Sequence, residues 1–110
     1  MAVRATRALA NGERLLLADL VLAECVYVLE SFYEVERVPI AEMMRAALAL
    51  RSVAVVDAAM LLRALEVYEV ERLDFAEAYL IAAAEATGVG AVMSFDRGID
   101  RIATVSRIEP

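Results

Sequence analysis

Apolar and polar positions run along the chain in blocks whose period changes, and the changes mark the elements. Residues Ala2 to Ala10 read as a short helix closed by the turn signal Asn11-Gly12. "RLLLAD" reads as a buried strand, because a short apolar run ends at an aspartate. From Asp19 to Tyr33, "DLVLAECVYVLESFY" is helical and apolar almost all round. Pro39 opens a further helix, "PIAEMMRAALALR", where its missing N–H costs nothing. "VAVV" is a second strand, and Asp57 caps the striped helix "DAAMLLRALEVYEVER". The apolar helix "DFAEAYLIAAAEATG" is followed by a third strand, "AVMSF", a short turn or helix, "DRGIDRI", and a last strand around "ATVSRI". Strands alternating with helices across crossovers this long predict an α/β fold. Its parallel sheet forms one layer with helices on both faces, in a single domain over residues 1–110. There is no internal repeat, low-complexity tract or flexible linker.

Composition sharpens this picture. Apolar residues make up 62% of the chain, above the ~45–50% usual for soluble domains, so the expectation is that part of the surface is buried against another chain. The net charge of -6 argues against a broad basic face for non-specific nucleic-acid binding. It leaves open a nuclease whose acids gather at one metal site. All eleven basic residues are arginine, and histidine and lysine are absent, which removes histidine bases, Schiff-base lysines and His-ligated metals. The lone Cys25 sits in an apolar run, cannot form an internal disulfide, and fits a reducing, cytoplasmic setting. The longest apolar stretch, Ala78 to Phe95, is interrupted by Glu85, Gly88 and Gly90 and reads as helix, turn and strand, not as a membrane span.

Phosphate cradles and nucleophile elbows are absent, so the chemistry falls to carboxylates. Asp74 and Glu77 have the spacing of a capping box, which satisfies backbone donors at a helix start. Glu24 has Leu20, Val21, Tyr27 and Val28 as helical neighbours, so it projects from an apolar face where an unpaired charge is costly. Either an arginine or a metal must meet it. Asp96 follows the run "AVMSF" and stands at the carboxyl end of a parallel strand, where open α/β sheets bind ligands; an N-cap is the alternative. Asp19, Asp57 and Asp100 read as caps or solvated residues. Three converging acids, Glu24, Glu77 and Asp96, without histidine or thiolate suit Mg²⁺ or Mn²⁺ and metal-assisted phosphodiester hydrolysis.

The blocks "LLLADLVLAECVYVLE", "LDFAEAYLIAAAEATG" and "AVMSFDRGIDRI", in this order, resemble the PIN domain, in particular the VapC-type ribonuclease toxins of bacterial toxin-antitoxin pairs. The resemblance implies a three-layer α/β/α sandwich, a homodimer, a Mg²⁺ or Mn²⁺ site, RNA cleavage and a small antitoxin that blocks the site. By position, Glu24 matches the family's helix glutamate, Asp96 the aspartate after the strand, and Ser94 the hydroxyl residue that supports the metal-bound water. Glu77 matches the aspartate of "DFADA", with Asp74 left as the cap.

Two departures go with the resemblance. Glu77 is one methylene longer than the family's aspartate, a displacement of about 1.5 Å, and Gly98 stands where an acid is common. Family members also begin with a central strand ending in an aspartate, as in "LDTN", which this sequence lacks before Met1. The expectation is therefore a PIN-like sheet without its usual first strand, a partly open core, and weak or absent cleavage. A non-catalytic PIN-like module that forms an oligomer or binds an antitoxin is the alternative. Ile40, Met43, Met44 and Ala47 read as core before interface, and Arg97 and Arg101 flank Asp96 as solvated residues or phosphate contacts.

Overall fold

The computed structural model describes Arg4, Arg7 and residues 12–110. The helix expected over residues 2–10 lies outside the described residues, apart from those two arginines. The rest follows the predicted order: β1 (Leu15–Leu16), α1 (Asp19–Ser31), α2 (Arg37–Leu48), β2 (Val53–Ala54), α3 (Ala58–Glu71), α4 (Phe75–Thr87), β3 (Ala91–Met93), a short 3-10 helix (Arg97–Arg101) and β4 (Ser106–Ile108). None of the helices is long and apolar enough to cross a membrane among the described residues.

Local chemistry accounts for most boundaries. The Asp57 carboxylate accepts from the Met60 amide at 3.0 Å and starts α3, as its sequence position predicts. Pro39 lies in the first turn of α2, where amides have no intrahelical partner to lose. Gly88 ends α4 at φ 73°, a left-handed conformation that costs glycine little. Asp19 departs from the expected cap. Ala18 holds that position, and the half-buried Asp19 carboxylate instead accepts from the Tyr79 hydroxyl at 2.5 Å, tying α1 to α4.

The strands are shorter than their apolar runs and form two parallel pairs in place of one sheet. Leu15 and Leu16 pair with Val53 and Ala54; Ala91 to Met93 pair with Ser106 to Ile108. Among the described residues no strand joins β1 to β3. Parallel α/β character is as expected, and two pairs that do not join among the described residues fit a parallel sheet without its usual first strand.

The helices carry the core. Leu22 and Val26 of α1, Ile40 and Ala41 of α2, Leu61, Leu65 and Tyr68 of α3 and Ile81 of α4 are buried together. Met44 is buried and Ala47 half-buried beside them, which bears out the core reading of α2, although Met43 is exposed. Cys25 packs half-buried against this cluster. Buried Tyr68 sends its hydroxyl to Glu30 at 2.7 Å, and burial pushes its pKa up. Helix α1 leaves an apolar stripe in solvent: Leu20 is 79% exposed and Tyr27 65%, with Val21 and Val28 beside them and Phe32 just past the helix end.

Candidate metal centre

Asp74 and Glu77 come from the first turn of α4. Buried Leu73 and Phe75 flank Asp74 and anchor this corner in the core, while Arg37 reaches across from α2. Its Nη1 donates to the carbonyls of Tyr68 at 2.7 Å and Leu73 at 2.5 Å, and its guanidinium lies 4.3 Å from the centre of the Tyr68 ring. A carbonyl left open by the end of α3 is thereby satisfied by a cation, the favourable sign for a helix C-terminus. Asp74 Oδ1 accepts from the Glu77 amide at 2.8 Å, so the capping reading holds. Its placement does more than cap.

Asp96 comes from the opposite side, in the loop between β3 and the 3-10 helix. Its Oδ1 accepts from the Gly98 amide at 2.7 Å, and its own amide donates to Ser94 Oγ at 3.0 Å. The Ser94 hydroxyl in turn donates to Glu77 Oε2 at 3.3 Å, so one serine touches both acid-bearing elements. A Cβ at Gly98 would come within 2.8 Å of Leu73 Cδ2 and 3.0 Å of Asp96 Oδ1, so a side chain there requires one of those neighbours to shift.

One carboxylate oxygen each from Asp74, Glu77 and Asp96 lies within 4.8 Å of the others. Burial, then the charges of Asp74 and Asp96, push the Glu77 carboxyl above the usual carboxylate range, against the bond from Ser94. Among the described residues no arginine forms an ion pair with any of the three. Converging all-oxygen donors without an ion-paired arginine are of the chemical type that suits a hard divalent ion.

The structure brings Glu77, Asp96 and Ser94 together and leaves Glu24 outside the group. Glu24 is exposed on α1, where its apolar neighbours are exposed too, so the desolvation that would demand a partner does not arise. The third acid of the group is Asp74. A helix-start aspartate has the same local pattern whether or not it also faces an ion, so spacing alone shows only the cap. Arg97 is exposed, and Arg101 donates to the Gly98 carbonyl at 3.3 Å.

A family model, that of the PIN domain, matches residues 1–105. No curated protein and no solved structure matches the chain.

Proposed function

Since the chain belongs to the PIN domain family, we propose that it is a Mg²⁺- or Mn²⁺-dependent endoribonuclease, a VapC-like toxin of a cytoplasmic toxin-antitoxin pair. Family membership supports a nuclease-like role in general, and the convergence of Asp74, Glu77 and Asp96 carries the specific reading. When bound, the ion supplies an activated water and neutralises charge building on the phosphodiester. The chain's own residues fix where that happens. Asp74 and Glu77 present oxygens from a helix start, Asp96 presents one from the facing loop, and Ser94 holds Glu77 and the Asp96 backbone in register.

The test is Mn²⁺-dependent cleavage of a mixed single-stranded and tRNA substrate, with Asp96→Asn and Glu24→Gln as variants. Cleavage that drops by about 100-fold in Asp96→Asn and changes little in Glu24→Gln supports the reading. Cleavage equal in Asp96→Asn and the unsubstituted protein would sink it.

The exposed stripe of α1 favours a second reading, a PIN-like module that binds an antitoxin or another copy of itself without cleaving RNA. A groove of about 220 Å³ between α1 and α4, lined by Leu20, Ala23, Phe75, Ala76 and Tyr79 together with Asp19, adds to that surface. Under this reading no divalent ion restores cleavage, and Leu20→Ser alters association alone.

A further inference from the structure

We propose that Arg107 is a positioning residue for the acid centre: one guanidinium, reaching from β4, clamps both ends of the loop that carries Asp96. The inference rests on the three acids being the working site. Its Nη1 donates to the Ser94 carbonyl at 3.1 Å. Nε and Nη2 donate to the two carboxylate oxygens of Asp100 at 3.0 and 3.3 Å. Asp96 lies between these anchor points in the chain. A third contact, from Nη1 to Glu109 at 3.3 Å, steadies the guanidinium from the far end of β4.

Three features separate this from an ordinary surface ion pair. The side chain is only 13% exposed, whereas Asp100 is 52% exposed, so the arginine is the fixed member. The fork is bidentate, a geometry that lysine's point charge cannot reproduce. The Ser94 carbonyl belongs to the residue whose hydroxyl bonds Glu77 and the Asp96 amide, so moving it moves both. Arg107 makes no ion pair with Asp74, Glu77 or Asp96. Its action is on the backbone that aims them.

Sequence alternation in β4 held a trace of this. Arg107 shares a strand face with buried Val105, while Ser106 and Ile108 point to solvent. An arginine at the inward position of a strand has a partner to reach.

The experiment measures two quantities on Arg107→Ala, Arg107→Lys and Asp100→Asn. The first, without metal, is hydrogen exchange at the Asp96 and Gly98 amides. The second is Mn²⁺ affinity. Expected is about tenfold faster exchange at both amides in Arg107→Ala with α3 and α4 amides unchanged, and Mn²⁺ affinity about 10- to 100-fold weaker. Arg107→Lys recovers part of both, and Asp100→Asn shifts both in the same direction by less. Exchange within about twofold of the unsubstituted protein in Arg107→Ala and Asp100→Asn alike would overturn the clamp. Should Arg107→Ala unfold, Asp100→Asn and Arg107→Lys decide by the same amides. A loosened loop in a protein that binds no Mn²⁺ even when unsubstituted would retain the clamp and remove the metal-centre reading.

Discussion

The two stretches that supply the acids are held by different forces. The corner between α3 and α4 is part of the core: Leu73 and Phe75 are buried on either side of Asp74, and Arg37 locks the backbone beneath it. The loop after β3 runs between buried Val92 and Ile99 but exposes Met93 and Phe95, and its own stretch is held by polar contacts through Ser94, Gly98 and Arg107. Apolar burial is non-directional and shared among many atoms, whereas a few hydrogen bonds fix one geometry and fail together. The centre therefore joins a rigid half to an adjustable half. Changes beneath Asp74 are expected to act on global stability, and changes around Asp96 on the site alone.

The largest effect expected from this contrast is at Phe75. Phe75→Ala should lower unfolding free energy by about 3–5 kcal/mol, measured by urea denaturation, since the ring is 4% exposed and packs edge-on to Tyr68. A loss under about 1 kcal/mol would break the comparison by showing that the corner is not part of the core.

Arg37→Ala comes next. It leaves two carbonyls without their charged donor and removes the cation over the Tyr68 ring, for an expected loss of about 2 kcal/mol. Thermal melting checks the size. Amide exchange should rise at the end of α3 and at Asp74 while Asp96 and Gly98 stay protected; a rise at both stretches would show that they are one cooperative unit.

The smallest effect is a pH dependence. Glu77 has its pKa raised in the folded state, so its favourable share of stability is complete below the ordinary carboxylate pKa and lost as pH rises through the raised value. Glu77→Gln should flatten that decline, by a few degrees of Tm or less. Added Mn²⁺ should oppose it in the unsubstituted protein only. Identical pH profiles for the two proteins would mean that neither burial nor its acidic neighbours raise the Glu77 carboxyl.

Much of this arrangement was legible in the sequence. Asp57 and Asp74 were readable as caps because a cap is a local event, and the helices came out close to their observed spans. The strands were overextended: "RLLLAD" yields two paired residues and "VAVV" two. Their separation into two pairs depends on contacts between distant segments, which hydropathy does not encode. At the centre, Glu77, Ser94 and Asp96 meet as position suggested. Glu24 shows the limit of periodicity, which tells that a face is apolar but not whether anything covers it. Arg37 bonds residues 31 and 36 positions away, beyond the reach of any spacing rule.

The division of the strands into two pairs has a consequence for how the chain acquires its shape. Each pair closes within its own stretch of sequence, loops of roughly 40 and 15 residues whose closure entropy is modest. No strand contact links the beginning of the described chain to its end, so end-to-end closure falls to helix packing, as in the Asp19–Tyr79 bond between α1 and α4. Folding by local closure favours speed over cooperativity. The β3–β4 end then docks on the helices through buried Val92, Ile99, Ile102 and Val105 and through the Ser94 bond to Glu77, so its opening is coupled to the helical core.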